Sequence, residues 1–370
     1  IATASADEPN KVLLALRGSG QGLYVGIAED RFIVASEPYG VVEETLSYVR
    51  MDGEALSDAN NPSSRGQVIM LDGDIAGTVN GMSMLAYDGT DLGLNESHVA
   101  IAEVTTRDID RGEHKHFLAK EIGEAPASFR KTLRGKIGER DGNLFASLDT
   151  SVVPQHVIDA LAAGKIARIR VIGQGTAAIA GRSLVQLLRT LVDHRVQVDA
   201  LPATELSGFQ LQLDMSDTLV IAISQSGTTT DTNRTVDLAR SRGASVLAIV
   251  NRRGSELAAK ADGVLYTSDG RDVEMSVAST KAFYSQVSAG ALLSCALSSA
   301  LGSGTDAARH QLLAALRTVP DAMNRVLEMR PQIAQAARQF APARRYWTVV
   351  GNGFNAVAAE EVRIKLSELS

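Results

Sequence analysis

The sequence predicts an α/β protein in which a doubly wound parallel sheet follows a β-rich N-terminal part. Two observations carry this prediction. From about residue 167 onward, apolar runs of strand length alternate with helical segments, which is typical of parallel strands covered by helices on both faces. Before residue 107, short apolar runs are instead separated by Gly, Ser or Asp, which favours antiparallel strands joined by turns.

In the N-terminal part, five strands are predicted at residues 12–18, 23–29, 31–37, 67–73 and 81–89. Residues 38–50 have helical spacing with Pro38 near the first turn, and residues 55–66 have the composition of a loop. Residues 105–137 are polar and charged, with helical character. We interpret them as a linker that runs into the first helix of the next domain.

Five apolar runs predict the parallel sheet, at residues 168–173, 195–201, 218–224, 245–251 and 263–268. A partial repeat extends this pattern, since residues 171–188 align with residues 349–366 at an offset of 178, with six identical positions. Both copies place a Gly-containing turn between a strand and a helix, which predicts the start of a second α/β domain. A single strand–helix unit cannot bury its own apolar face, so we expect the chain to be cut short at its C-terminus. The first residue is not Met, so we expect missing residues upstream as well.

The composition indicates an ordinary globular protein of several domains. Of 370 residues, 45% are hydrophobic and 22% charged, so each domain can bury a core. Lysine and arginine (37) against acidic residues (43) give a net charge of −6, which argues against a nucleic-acid or anionic-membrane partner. The longest apolar stretch, residues 287–302, contains four serines and is shorter than the roughly 20 residues that span a bilayer, so we expect a buried helix.

The cysteine and histidine content argues against structural metal sites and disulfides. The single cysteine, Cys295, excludes a disulfide framework and a cysteine zinc cluster, and we expect it in the core of a protein from a reducing cytoplasm. His114 and His116 have no cysteine or acidic cluster at metal-ligand spacing, so no metal site is predicted.

Two loops after predicted strands could bind phosphate, because ligands of open parallel sheets lie beyond the carboxyl ends of the strands. Gly173–Ala178 matches the dinucleotide fingerprint G-x-G-x-x-A, with Asp199 at a suitable distance downstream, at the end of the next predicted strand. A tight glycine turn without a ligand explains the same residues. Residues 224–232 place six hydroxyls, a glutamine and a glycine at a helix start, where free N–H groups and the helix dipole favour phosphate over a simple N-cap.

Two further segments remain open at this level. Residues 274–281 precede the long apolar helix, and read alone they are as consistent with a capping segment as with a functional loop. Glu361, Lys365 and Glu368 share one face of the last predicted helix. They form either an exposed ion-pair face or a base beside a positive charge, suited to moving a proton next to a carbonyl.

Together these motifs resemble the glutamine–fructose-6-phosphate aminotransferases, whose isomerase half is built from two sugar-isomerase (SIS) domains. HFLAKEIGEAP (116–126) resembles the stretch that enters this half, and SQSGTTTDT (224–232) resembles its phosphate loop. VASTKAF (277–283) is the most specific motif, and EVRIKLSELS (361–370) resembles the helix after the second domain's first strand. Residues 11–107 resemble the later part of the family's Ntn-type glutamine-hydrolysing domain.

The resemblance implies a domain order along the chain. It runs from a partial glutamine amidotransferase domain (1–107) through a linker with the first isomerase helix (108–150), a first SIS domain (151–305) and connecting helices (306–345) to the start of a truncated second SIS domain (346–370). The implied activity transfers glutamine-derived ammonia to fructose 6-phosphate, or a related hexose phosphate, and isomerises the product to glucosamine 6-phosphate. It implies no dissociable cofactor, L-glutamine as a substrate of the first domain if that domain is complete, and a cytoplasmic homodimer in UDP-N-acetylglucosamine biosynthesis.

By position, the resemblance also assigns site residues. Substrate contacts fall on Thr176, Ser224, Gln225, Ser226, Thr229, Val277 and Ser279, of which the last two line the sugar. Glu368 matches the residue that shuttles a proton between C1 and C2, and Lys365 matches its neighbour in the site.

The sequence departs from the family pattern at three places. The family's glutaminase nucleophile is an N-terminal cysteine, whereas this chain begins with Ile1. In the first phosphate loop, Gln174-Gly175-Thr176-Ala177 replaces Cys-Gly-Thr-Ser. The family supplies its ring-opening histidine and imine-forming lysine beyond the position of residue 370, so we expect this chain to be catalytically incomplete. Two alternatives therefore stay open: a non-catalytic sugar-phosphate-binding SIS module or regulator, and a dinucleotide-dependent oxidoreductase that uses Gly173, Gly175 and Asp199.

Overall fold

The structure is a computed structural model that describes residues 1–18, 22–102, 104–106, 108–193 and 195–369. It divides into two compact units, Ile1–Asp110 and Arg111–Ser370, which are described separately below. The boundary predicted at residue 107 and the last residue of the EVRIKLSELS motif, Ser370, lie outside the described residues.

The first unit is a pair of four-stranded antiparallel sheets with the orders β1-β2-β6-β7 and β4-β3-β5-β8. Its strands are β1 (Ala2–Ser5), β2 (Glu8–Leu16), β3 (Leu23–Ile27), β4 (Phe32–Ala35), β5 (Ser47–Met51), β6 (Gln67–Asp72), β7 (Met82–Ala86) and β8 (Val99–Ile101). Both sheets contribute side chains to one apolar core, including Leu14, Val25, Val49 and Ile69. All five strands predicted here are confirmed.

The helix predicted at residues 38–50 is wrong. Residues 38–40 form a single 3₁₀ turn, and Ser47–Met51 form strand β5. In this strand Val49 and Met51 are buried, while Arg50 between them is only partly covered. This is a period of two, which a helix cannot satisfy. Pairing with β3 and β8 on its two sides uses the backbone of β5, and tertiary context therefore overrides the helical spacing.

The second unit contains a five-stranded parallel sheet of order β12-β11-β13-β14-β15, which confirms the doubly wound α/β fold. The strands of this sheet are β11 (Arg168–Gly173), β12 (Gln197–Pro202), β13 (Thr218–Ser224), β14 (Ser245–Val250) and β15 (Gly263–Tyr266). Two further strands of the unit, β9 (Ile137–Arg140) and β10 (Asn143–Ala146), pair with each other. The helices of the second unit are α1 (Phe117–Leu133), α2 (Gln155–Ala162), α3 (Thr176–Leu191), α4 (Ala203–Glu205), α5 (Thr230–Arg240), α6 (Glu256–Lys260), α7 (Lys281–Ala300), α8 (Asp306–Glu328), α9 (Arg330–Phe340) and α10 (Phe354–Leu369).

Helices cover both faces of this sheet. On one face, side chains of β11, β13 and β14 share a core with α2, α3 and α7, and on the other they pack against α5 and α6. All seven residues of β13 are buried, because the central strand is covered on both faces. The continuous apolar runs that predicted these strands have this double burial as their cause.

The strand order creates a switch point between β11 and β13. From β11 the chain passes through α3 to β12 on one side of the sheet, and β13 then pairs on the other side of β11. The connections leave in opposite directions, so a crevice opens beyond the carboxyl ends of β11 and β13. The loops Gly173–Thr176 and Ser224–Thr230 border this crevice.

The remaining helices surround the sheet and include one correction. The strand predicted at residues 349–351 is not formed, and Val350 is 88% exposed. A strand needs a neighbour for its N–H and C=O groups, and among the described residues none pairs with this segment. The helix predicted after it is present as α10, which packs on α3. The hairpin β9–β10 lies in a segment for which no strand was predicted.

Helix α7 contains the apolar stretch at residues 287–302 in part, and most of its side chains, including Cys295, are buried as predicted. Across the described parts of the chain, no helix combines the length and apolar character that crossing a membrane requires. The same residues contain no group of three or more His, Cys, Asp or Glu side chains placed to hold a metal ion.

Candidate functional site

The loop between β13 and α5 (residues 225–229, the β13–α5 loop) is a cluster of hydroxyl groups at a helix start. The N–H of Gly227 donates to Ser224 Oγ at 3.0 Å, and Ser224 Oγ lies 3.2 Å from Thr229 Oγ1. The N–H and hydroxyl of Thr228 both donate to Ser226 Oγ, at 3.2 and 2.9 Å. Thr229 is the N-cap residue of α5 but makes no side-chain cap bond. The first N–H groups of α5 therefore face the crevice without an intrahelical partner.

The backbone of this loop is held from behind. The side-chain amide of Asn233 donates to the carbonyl oxygens of Gly227 and Thr229, both at 3.1 Å. The N–H of Asn251, at the end of β14, donates to the carbonyl oxygen of Gln225 at 3.2 Å. These contacts use carbonyl groups of the loop. The Ser226 hydroxyl, which accepts from Thr228, keeps its own hydrogen available to an anion.

Gln174 connects the two sides of the crevice. Its side-chain amide donates to Asp231 Oδ2 in the first turn of α5 at 3.2 Å, and lies 3.4 Å from Thr204 Oγ1. Gly175 has φ +54°, a conformation that favours glycine, and a Cβ on Gly173 would lie 2.9 Å from the backbone of Ala177. The glycines of the G-x-G-x-x-A motif thus serve the tight turn from β11 into α3.

Asp199 does not occupy the position that a dinucleotide site requires. It is the third residue of β12 rather than its end, and its carboxylate pairs with Arg170 and Arg189. A carboxylate that already accepts from two guanidinium groups has little capacity left for a ribose hydroxyl. The prediction that Asp199 ends its strand is wrong.

Helix α10 brings charged groups to the start of α3. The Thr176 hydroxyl donates to Glu361 Oε1 at 3.1 Å and accepts from Lys365 Nζ at 3.0 Å. Lys365 Nζ also lies 3.3 Å from Glu361 Oε1 and 2.7 Å from Glu368 Oε2. Arg182 of α3 pairs with Glu360, which fixes the same two helices one turn further along.

The two glutamates of this cluster differ in environment. Glu361 is 7% exposed, and burial raises the pKa of its carboxyl while Lys365 and Thr176 oppose the rise. Glu368 has a side chain about one-third exposed, so it can reach a ligand in the crevice. Burial, together with the Glu361 carboxylate, also raises the pKa of Tyr284.

The loop between β15 and α7 (residues 267–280, the β15–α7 loop) carries the other two predicted sugar contacts. Val277 is 92% exposed, and Ser279 is half-buried with its hydroxyl bonded to Glu274. An apolar side chain so fully exposed at a loop tip is available to contact a ligand.

The structure places most of the predicted site residues in two groups. Thr176, Lys365 and Glu368 lie in one contact cluster, and Ser224, Gln225, Ser226 and Thr229 lie in the neighbouring β13–α5 loop. Val277 and Ser279 lie on a third loop. The sequence placed Glu361 on a charged helix face with Lys365 and Glu368, but not among the substrate-binding or catalytic residues. Its burial against Thr176 depends on a contact 185 residues away.

Residues 164–296, which contain the five-stranded parallel sheet and the loops at its switch point, match the family model of the SIS domain. Over 368 residues, the chain is 30% identical to a glutamine–fructose-6-phosphate aminotransferase [isomerizing] of Corynebacterium diphtheriae, covering 99% of this chain and 53% of that protein. A protein of the same name from Bacteroides thetaiotaomicron is 30% identical over 370 residues, covering 100% of this chain and 55% of that protein. The chain thus spans about half the length of the curated relatives it matches.

A solved structure shares the fold. The C-terminal domain of glucosamine-fructose-6-phosphate aminotransferase from Francisella tularensis superimposes with a TM-score of 0.62 at 24% identity, covering 70% of each chain. This likeness concerns the arrangement of helices and strands.

Proposed function

We propose that this chain is the sugar-phosphate-binding part of an enzyme of the glutamine–fructose-6-phosphate aminotransferase type. The enzyme transfers glutamine-derived ammonia to fructose 6-phosphate and isomerises the product to glucosamine 6-phosphate. One observation carries the proposal: Thr176, Lys365 and two glutamates meet at the carboxyl end of β11, beside the hydroxyl-rich loop after β13. A phosphate site and an acid–base cluster therefore border the same crevice.

The β13–α5 loop holds the phosphate group in this proposal. Ser224, Gln225, Ser226 and Thr229 offer hydroxyl and amide donors, and the N-terminus of α5 adds free N–H groups and the positive end of its dipole. Thr176 lies across the switch point and supplies a further hydroxyl. Binding by neutral donors agrees with the absence of a lysine from residues 224–232.

The charged cluster supplies the proton transfer. After the sugar ring opens, ammonia replaces the keto oxygen at C2 as an imine, and water leaves. Glu368 then removes a proton from C1 and returns it to C2. The O1 hydroxyl loses its proton to become the aldehyde, and the imine nitrogen gains a proton to become the amine. Lys365 Nζ lies 2.7 Å from Glu368 Oε2, so it pairs with and orients the carboxylate that acts as the base.

The remaining parts of the proposal concern the whole enzyme. The first unit corresponds to part of the glutaminase domain, and L-glutamine is the nitrogen source there. We propose a homodimer for the complete protein, and domain boundaries at residues 107, 150, 305 and 345.

Gln174 favours a second candidate, a sugar-phosphate-binding module without catalysis. Its side chain lies across the crevice to Asp231, at a position where the family has a cysteine. Proton exchange in the complete protein separates the two candidates: incubation with fructose 6-phosphate in D₂O would incorporate deuterium at C1 if Glu368 acts as a base, and would leave C1 unlabelled in a binding module.

Calorimetric titration with fructose 6-phosphate, glucosamine 6-phosphate and NAD tests the proposal directly. Saturable binding of a sugar phosphate with no heat from NAD supports it. Binding of NAD without binding of either sugar phosphate would overturn it in favour of an oxidoreductase. The absence of a binding heat for both sugar phosphates would also count against it.

A further inference from the structure

Helix α1 presents one polar face to the β15–α7 loop. Its side chains Glu121, Glu124, Ser128 and Lys131 recur at spacings of three and four residues, so they share a face. Ser128 and Lys131 contact Asp272 in this loop, and Glu124 pairs with Lys281 at the start of α7. The helix belongs to the HFLAKEIGEAP motif, to which the proposed function assigns no role.

Glu121 is the buried member of this face. It is 1% exposed, and its Oε1 accepts the N–H of Met275 at 2.5 Å and that of Ser276 at 3.2 Å. Its Oε2 accepts the N–H of Ser276 at 3.3 Å and also the Ser276 hydroxyl. Two consecutive backbone N–H groups that converge on one anion form a nest, which fixes the loop backbone at that point.

A second carboxylate holds the other end of the loop. Glu274 Oε1 accepts the N–H of Thr280 at 2.6 Å and the N–H of Ala282 at 3.3 Å. Thr280, the N-cap residue of α7, makes no side-chain cap bond of its own, so Glu274 takes over the capping role. Between the two anchored points lie residues 277–279, the loop tip, in which Val277 is exposed, Ala278 is buried and Ser279 is half-buried.

The anchor lies directly beside the predicted sugar contacts. Ser276 precedes Val277 by one residue and Ser279 by three, so a displacement of Ser276 moves both. The phosphate donors lie on a different segment, the β13–α5 loop, whose backbone is held by Asn233 and Asn251 instead. The side-chain amide of Asn251 also donates to the carbonyl oxygen of Thr267 at 3.0 Å, so the start of the β15–α7 loop shares this support, whereas Met275 and Ser276 are held by Glu121 on α1.

We propose that Glu121 is a positioning residue for the sugar ring: acting through Ser276, it sets the position of the Val277–Ser279 tip and so controls affinity for the hexose part of the ligand. This inference rests on the proposed function. Loss of the anchor leaves the phosphate donors in place and loosens only the contacts to the sugar, which costs preorganisation.

Parallel titrations of Glu121→Gln with fructose 6-phosphate and with inorganic phosphate test this inference. Glutamine keeps the shape of the side chain but replaces one acceptor oxygen with a donor that faces the same N–H groups. We expect affinity for fructose 6-phosphate to fall on the order of tenfold, while affinity for inorganic phosphate stays within about twofold. Glu124→Gln, on the same helix face but without contact to the loop N–H groups, is the matched control and keeps both affinities.

Each outcome decides the matter. Equal weakening of both ligands in Glu121→Gln would reduce Glu121 to a structural role, and unchanged affinities would remove the role altogether. If Glu121→Gln lacks a cooperative unfolding transition, Ser276→Ala decides instead, since it deletes only the hydroxyl, which bonds Glu121 Oε2 and the Ala278 carbonyl oxygen, and should show the same selective loss. A wild-type protein that binds inorganic phosphate but not fructose 6-phosphate would overturn the proposed function itself, before any variant is compared.

Discussion

The hydroxyl of Thr176 donates a 3.1 Å hydrogen bond to the buried carboxylate of Glu361, joining the first turn of α3 to α10 across 185 residues. Lys365 Nζ donates to the same hydroxyl, so the small Thr176 side chain connects the Glu361 carboxylate with the Lys365 ammonium group. Because Thr176 also borders the switch-point crevice, any ligand bound there lies beside this charged cluster.

Removal of Lys365 should destabilise the second unit at neutral pH. Lys365→Met leaves the Glu361 carboxylate buried without its cation, and we expect a loss of about 2 kcal/mol in the free energy of unfolding. The loss should shrink toward acidic pH, where Glu361 protonates and the pair is already lost in the wild type. Urea denaturation at about pH 7.5 and pH 5 measures both effects.

Two variants control this experiment. Glu361→Gln combined with Lys365→Met removes both charges and should recover most of the lost stability. Arg363→Met changes an exposed cation on the same helix and should stay within about 0.5 kcal/mol of the wild type. A double variant as unstable as Lys365→Met alone would contradict the buried-charge explanation.

Loss of hydroxyl groups from the β13–α5 loop should weaken sugar-phosphate binding without unfolding the protein. In Ser226→Ala/Thr229→Ala two donors facing the crevice disappear, and we expect affinity for fructose 6-phosphate to fall at least about tenfold. Thr190→Ala removes an exposed hydroxyl at the far end of α3 and is the control. Calorimetry measures the affinities. An unchanged affinity of the double variant for fructose 6-phosphate would mean that the phosphate binds elsewhere.

Gly227 cannot accept a side chain. It has φ +67°, and a Cβ would lie 2.2 Å from Ser255 Oγ and 2.8 Å from Val250 Cγ2. Gly227→Ala should lose about 3 kcal/mol of stability and most of its ligand affinity, because strain and overpacking add. Gly254→Ala separates the two causes: its φ is +62° with no atom within 4 Å of the Cβ, so strain alone should cost about 1 kcal/mol.

Two acids in the β15–α7 loop should respond to pH in opposite directions. Burial raises the pKa of Glu274 above its ordinary 4.5, so its contribution to stability is full below that pH and is lost as pH rises through the folded pKa. The advantage of Glu274→Gln over wild type should therefore grow with pH. Urea denaturation across the pH range from about 4 to 8 measures it.

Asp272 provides the opposite case in the same loop. Burial would raise its pKa, but the Ser128 hydroxyl and the cations Lys281 and Lys131 hold that pKa below the ordinary 3.8. Its contribution is present above that pH and is lost as pH falls through the folded pKa, so Asp272→Asn should be penalised most near neutral pH. If the stability difference from wild type changed with pH in the same direction for Glu274→Gln and Asp272→Asn, the opposite pKa shifts given for Glu274 and Asp272 would be contradicted.

The parallel sheet could be predicted because its strands are buried on both faces and read as continuous apolar runs. β5 could not be, since only Val49 and Met51 are buried and the intervening residues mimic helical spacing. The segment 349–351 reads as a strand but has no strand to pair with among the described residues. Local pattern fixes which residues prefer a strand, whereas pairing decides whether the strand forms.

The site followed the same division. Hydroxyls at a helix start and charges on one helix face are local signals, and both were visible in the sequence. The roles of Glu121 and Glu361 depend on partners 154 and 185 residues away, which no spacing rule encodes. Each is an acidic residue of a type usually exposed, so burial is the property that sequence reasoning missed.

The burial of Cys295 has a practical consequence for spectroscopy. It is the single cysteine of the chain, and burial raises the pKa of its thiol to about 12, so it stays protonated and inaccessible to alkylating reagents near neutral pH. A cysteine introduced at an exposed position would then be the one thiol that a maleimide dye or spin label modifies. Val277, at the loop tip, offers such a position, and a probe there would report ligand-induced motion without a cysteine-free background.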